Sequence, residues 1–143
     1  DWYALTADYY RQEAKIAALT DCQIIGHFDL ITKFNQDFRH FDETCDAYLE
    51  PALQAMRELN KAQVPFEINT GAMSRGYRKE PYPSPILLRE LKSMGGRIML
   101  NSDSHQTGTL LWRFEEAAKL AVSCGFDCYY VLAPGGGYRR EAF

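Results

Sequence analysis

Three short stretches of the sequence end in side chains that bind metals or handle phosphoryl groups: His27 with Asp29, Glu67 with Asn69, and Asp103 with His105. Imidazole nitrogens and carboxylate oxygens are common ligands of zinc, iron and manganese at hydrolytic sites. Such ions polarise a phosphoryl oxygen and make hydroxide from water near neutral pH. Basic side chains beside them hold phosphate as point charges or bidentate forks. Each pair also has a plainer reading. A single histidine such as His27 is more often hydrogen-bonded within a fold than bound to a metal. Asp103 and His105 stand at i and i+2, on one side of an extended chain, yet Asp and Ser also cap helices and close turns. Glu67 lies between Phe66 and Ile68 and reads as a carboxylate facing inward from a strand. A buried bare charge is costly, so Glu67 needs a partner, either in a site or in an ion pair with Arg75 or Arg97. His40, inside Asp37-Phe38-Arg39-His40-Phe41-Asp42, reads as a solvated loop residue. No residue stands out as the general acid for a leaving group, so the catalytic residue is unassigned.

A parallel sheet would bring these pairs together. Cys22-Gln23-Ile24-Ile25-Gly26-His27 is a short apolar run with a polar end, the pattern of a buried strand. Residues 64–69 and 97–100 repeat it, the latter with 101–105 as its polar tip. Residues 128–132 make a fourth strand. Between them the chain predicts helices. Residues 2–19 place Leu5, Tyr9, Ile16 and Leu19 roughly on one face. Residues 47–62 form another helix, with Pro51 confined to its first turn. Ser84-Pro85 starts a third helix, with Ser as N-cap and Pro at the first helical position. It stops at Gly95-Gly96. A fourth covers 110–123 and is closed by Gly125. Gly71, Gly76, Pro81 and Pro83 make residues 70–83 a long loop. The tail from 135 to 140 is a loop with a short edge segment. Alternation of this kind predicts the α/β class with about four parallel strands. In such folds ligands bind at the carboxyl ends of the strands. Three strand tips meeting at one rim carry more weight than any one residue.

The composition limits the alternatives. A chain of 143 residues suffices for one domain with its own core. Its net charge is -3 and its 16 basic residues form no run, so no nucleic-acid surface is visible. No apolar stretch approaches the ~20 residues of a membrane span. No signal peptide is recognisable, and a start at Asp1-Trp2-Tyr3 without Met reads as a cut piece or a trimmed chain. Cys22, Cys45, Cys124 and Cys128 form no Cys-x-x-Cys pair and are spaced wrongly for a zinc knuckle. They read as reduced core thiols of a cytosolic protein.

Several segments resemble one family. They are Ile25-Gly26-His27-Phe28-Asp29-Leu30-Ile31 followed by Lys33-Phe34-Asn35, and Glu67-Ile68-Asn69-Thr70 with Arg75-Gly76 and Glu80-Pro81-Tyr82-Pro83-Ser84. Ser102-Asp103-Ser104-His105, Phe114-Glu115-Glu116-Ala117 and Cys124-Gly125-Phe126 follow in order. Together they resemble the C-terminal half of a metal-dependent histidinol phosphatase of the PHP (polymerase and histidinol phosphatase) superfamily. The resemblance implies a distorted (β/α)7 TIM-like barrel with a trinuclear centre of divalent zinc, iron or manganese. It implies that His27, Asp103 and His105 are metal ligands, that Lys33 and Arg75 contact phosphate, and that Glu67 and Asn69 shape the substrate pocket. The implied reaction is hydrolysis of L-histidinol phosphate to L-histidinol and phosphate, in cytoplasmic histidine biosynthesis.

One departure is large. The family opens with a His-x-His motif, a further histidine and a bridging glutamate, whereas the histidines here are His27, His40 and His105. A barrel of this type takes roughly 250 residues. Residues 1–143 are therefore expected to be a single partial PHP domain that lacks the N-terminal half and is no phosphatase alone. Its open sheet edges would invite self-association. Two alternatives stay open: a PHP-type phosphoesterase of another substrate, and a non-catalytic PHP-like binding or assembly module.

Overall fold

In the computed structural model, which describes residues 1–143, the parallel pairing forms where the apolar runs are unbroken. Strands β1 (Phe66–Asn69) and β2 (Ile98–Asn101) pair in parallel, with Phe66 opposite Ile98 and Asn69 opposite Asn101. Every residue of β1 is buried, as expected of a parallel strand covered on both faces. The expected strand at 22–27 contracts to one parallel bridge, Ile25 to Phe66. Its two hydrogen bonds run from Ile25 N–H to the Pro65 carbonyl and from Glu67 N–H to the Ile25 carbonyl, both 2.9 Å. Left-handed backbone at Asp21 (φ 51°) and His27 (φ 26°) bounds the extended run on both sides.

The fourth expected strand forms, but its partner differs from the expectation. β3 (Cys128–Leu132) pairs antiparallel with β4 (Tyr138–Ala142), Cys128 lying opposite Ala142. Gly135, Gly136 and Gly137, at φ 91°, 100° and 74°, reverse the chain between them, a succession that glycine tolerates and other residues do not. The link between these two strands, residues 133–137, is too short for the crossover of a dozen or more residues that pairing them in parallel would need. The molecule is α/β, with a two-stranded parallel sheet and a separate hairpin. A closed barrel is not formed, and the four-stranded parallel arrangement is corrected to this. The Tyr138 hydroxyl donates to the Gln23 carbonyl and ties the hairpin to the Ile25 segment.

The helices follow their signals with adjusted bounds. The expected helix at 2–19 divides into α1 (Trp2–Glu13) and α2 (Ile16–Thr20). Its buried face carries Thr6 and Tyr10, whereas Leu5 is 48% and Leu19 77% exposed. Aromatic packing decides the face: the Tyr10 and Tyr48 hydroxyls bond at 2.7 Å, and Tyr10 packs on Phe28. α3 (Asp46–Asn60) begins one residue early, so Pro51 falls beyond the first turn and leaves the Ala47 carbonyl without its helical donor. A short α4 (Gly71–Ser74) occupies part of the long loop. α5 (Pro85–Ser93) starts at Ser84-Pro85 as expected, although the Ser84 hydroxyl makes no capping bond. α6 (Phe114–Ser123) starts later than residue 110, after left-handed Arg113. The core joins α1, α3, α5 and the parallel strands through Tyr10, Tyr48, Met56, Leu59, Phe66, Ile68, Leu88 and Leu91. All four cysteines are free thiols. No helix is long and apolar enough to cross a membrane.

Candidate functional site

Parallel pairing places three chain ends side by side: His27 after the Ile25 bridge, Asn69 at the end of β1, and Asn101 at the end of β2. Glu67, 5% exposed, lies beneath them. Its Oε1 accepts the His27 backbone N–H at 2.7 Å and the Asn69 side-chain amide at 2.7 Å. Its Oε2 accepts the Asn101 side-chain amide at 2.6 Å. The partner that a buried carboxylate requires is therefore a set of amide donors. Neither arginine considered for an ion pair supplies it. Arg97 donates to the Gln63 carbonyl at 2.9 Å, and Arg75 turns to Asp103.

Arg75 holds Asp103 through two bonds, Nη2 to Oδ2 at 2.7 Å and Nη1 to the main-chain carbonyl at 3.0 Å. The other carboxylate oxygen of Asp103 lies 3.4 Å from His105 Nε2. Partial burial pushes the Asp103 carboxyl up, but the Arg75 fork, with help from His105, holds it below the usual range. Gly71 makes room for this arrangement. A Cβ there would stand 2.7 Å from Arg75 Nη2 and 2.9 Å from both Asn69 Oδ1 and the Ser102 carbonyl. His27 and Asp103 both have left-handed backbone, at φ 26° and 46°. Such conformations cost non-glycine residues about 1–3 kcal/mol each and persist where surroundings over-determine them.

The remaining expected residues are spread more widely. Lys33 leaves through a 3-10 turn (Leu30–Phe34) and sits 4.7 Å from the centroid of the Tyr77 ring, a cation–π distance. At the end of α1, burial raises the pKa of the Glu13 carboxyl. Glu13 has no motif around it and escapes sequence reasoning. Asp29, the companion of His27 in sequence, is fully buried and turns inward. Its Oδ2 accepts the Ser84 N–H at 3.0 Å, and its Oδ1 has no donor. Burial pushes its pKa up to about 6, with the Arg78 charge and the Ser84 bond opposing. Next to it, Arg78 and Glu43 form a buried ion pair at 3.0 Å.

Asp103 and His105 lie close enough to share one divalent ion. No three His, Cys, Asp or Glu side chains converge as ligands for a single ion. A hydrolytic ion usually takes three protein ligands, so these residues do not complete such a centre by themselves.

No protein-family model matches the chain. It is 26% identical over 132 residues to a probable histidinol-phosphatase of Schizosaccharomyces pombe, covering 92% of this chain and 43% of that protein. It is 34% identical over 122 residues to a probable histidinol-phosphatase of Deinococcus radiodurans, covering 83% of this chain and 42% of that protein. The chain spans less than half the length of these curated relatives. Its likeness is to histidinol-phosphatases, over that portion.

Proposed function

We propose that the chain is part of a phosphoric monoester hydrolase of the histidinol-phosphatase type and PHP architecture, acting on L-histidinol phosphate to give L-histidinol and phosphate. The observation that carries this reading is the likeness, over most of the chain, to two probable histidinol-phosphatases from distant organisms. The rim of strand tips adds to it, because polar groups gather where α/β folds bind ligands.

In this reading Arg75 is the phosphate fork, exchanging Asp103 for phosphate oxygens, and Lys33 is a second cation for the same group. Glu67 and Asn69 shape the floor of the pocket. His27, Asp103 and His105 are the chain's contribution to a centre of divalent zinc, iron or manganese whose further ligands come from elsewhere. The chain alone is then inactive. Its partners are a small phosphorylated substrate and, through unpaired strand edges, other copies of itself. Reduced cysteines fit a cytoplasmic setting.

The test is phosphate release from L-histidinol phosphate, with zinc, manganese or iron(II) supplied in turn. It is run on this polypeptide and on the polypeptide extended upstream of Asp1 in its own gene. Turnover by the extended form only is expected. Turnover by the 143-residue chain alone would overturn the incomplete site. Release from other phosphomonoesters but not from histidinol phosphate would overturn the substrate, and no release from any would overturn the enzyme reading.

A further inference from the structure

We infer that Glu67 is the positioning residue of this site, setting the backbone of the two turns that carry His27 and Asp103. The inference rests on the reading of the strand tips as a phosphatase site. Glu67 reaches the first turn directly, since its Oε1 accepts the His27 N–H at 2.7 Å. It reaches the second through Asn101, whose side-chain amide donates to Oε2 at 2.6 Å while its Oδ1 accepts the Asp103 N–H at 3.4 Å. A third arm runs through Asn69, which donates to Oε1 at 2.7 Å and accepts the Gly71 N–H at 2.8 Å. Gly71 opens the short helix that leads to Arg75. One carboxylate thus governs the turns of His27, Asp103 and Arg75 at one or two removes.

The local chain does not favour either turn. His27 and Asp103 lie at φ 26° and 46°, where non-glycine residues are uncommon, so each needs a tether from outside its own segment. Gly26 shows how close that tether comes: a Cβ there would stand 3.3 Å from Glu67 Oε1. A substrate-contacting carboxylate would present an oxygen to the rim. Glu67, 5% exposed, instead commits both oxygens to three donors of the strand tips above it. Charge-assisted bonds of this kind are short and strong. Glu67 touches no reacting atom and acts through the residues it holds.

The experiment is amide NMR on the 15N-labelled chain, comparing wild type with Glu67→Gln and with Glu67→Gln/Asn101→Asp. The glutamine keeps the shape, removes the charge and sets one amide against the Asn101 amide. The His27 and Asp103 amide protons should move upfield in Glu67→Gln and exchange with solvent at least about tenfold faster. Core amides such as Ile68 and Leu88 should keep their protection. The double variant should restore the Asp103 amide, because the glutamine then donates to an aspartate that still accepts the Asp103 N–H. Unchanged His27 and Asp103 amides in Glu67→Gln would overturn the inference, as would losses spread evenly over the sheet or absence of rescue. If Glu67→Gln does not fold, Asn101→Ala decides, since Asn101 lies on the exposed rim. Loss of protection at Asp103 with His27 intact supports the tether, and no change at Asp103 overturns it. A parallel titration of wild type with inorganic phosphate reads the Arg75 side-chain resonance. If that resonance stays still, the phosphate-site reading falls while the positioning result stands by itself.

Discussion

Arg75 and Asp103 meet across two loops, with the guanidinium bonded both to the carboxylate at 2.7 Å and to the carbonyl of the same residue at 3.0 Å. One planar fork thereby fixes the side chain and the backbone of a residue with left-handed φ. Lysine, with a single charged nitrogen, could not reproduce this geometry.

The pair makes Asp103 sensitive to Arg75. Arg75→Gln should move the Asp103 pKa up toward the ordinary carboxylate value, read by carbon-13 NMR of the side chain. Because the folded-state pKa is depressed, the stabilisation is present above the unfolded value, about 3.9, and is lost as pH falls through the lower folded value. Both side chains are 34% exposed, so solvent screening limits the cost of the variant at neutral pH to roughly 1 kcal/mol or less. High salt should shrink it further.

Asp29 has the opposite sign. Its folded pKa is raised from 3.8 to about 6. Its contribution is fully present below the unfolded value and is lost as pH rises through about 6. A shift of this size in a fully buried group corresponds to a penalty of about 3 kcal/mol above that range. Asp29→Asn keeps an acceptor for the Ser84 N–H and removes the titration. Urea unfolding of the two proteins across pH should show a decline with rising pH in wild type that is flattened in the variant. Parallel curves in the two proteins would show that Asp29 does not carry the dependence.

Gly71→Ala should destabilise the protein by about 1–3 kcal/mol through overpacking. The new methyl would meet Arg75 Nη2 at 2.7 Å and the Ser102 carbonyl at 2.9 Å. Arg75 can yield, whereas the carbonyl belongs to the backbone after β2. Loss of the Arg75–Asp103 bonds, seen as an upward shift of the Asp103 pKa, should accompany the lower midpoint in urea.

Arg78→Met should cost about 3–5 kcal/mol, because it leaves Glu43 buried without its cation. The Arg78 and Glu43 side chains are 13% and 6% exposed. The double variant Arg78→Met/Glu43→Leu should recover most of that loss. A double-mutant cycle by denaturant unfolding measures the coupling, and additive losses would argue against a coupled pair.

Much of this was legible in the residues themselves. The runs at Phe66–Asn69 and Ile98–Asn101 announced buried strands, and Ser84-Pro85 marked where α5 begins. Apolar runs establish that a strand exists but leave its partner open. The run at Cys128–Leu132 therefore read as one more parallel strand until Gly135-Gly136-Gly137 folded it onto Tyr138–Ala142. Periodicity alone chose Leu5 for the inner face of α1, whereas the Tyr10–Tyr48 contact selected the face next to it. At the rim, His27, Asp103 and His105 were visible by residue type. Of the side-chain amide partners of Glu67, Asn69 was visible beside it, whereas Asn101 carries no distinguishing spacing. Asp29 read as a strand-tip companion of His27 for want of any signal that the chain turns inward after His27.

The outer strand of the C-terminal hairpin bears on how the molecule behaves in a crowd. β4 reads Tyr138-Arg139-Arg140-Glu141-Ala142, with Arg139 paired to Glu141 and Arg140 to Asp127. A further strand docking on this side would have to strip water from fixed charges of both signs. Nature uses charged edge strands as gatekeepers against runaway templating. The hairpin thus discourages fibre growth at this margin.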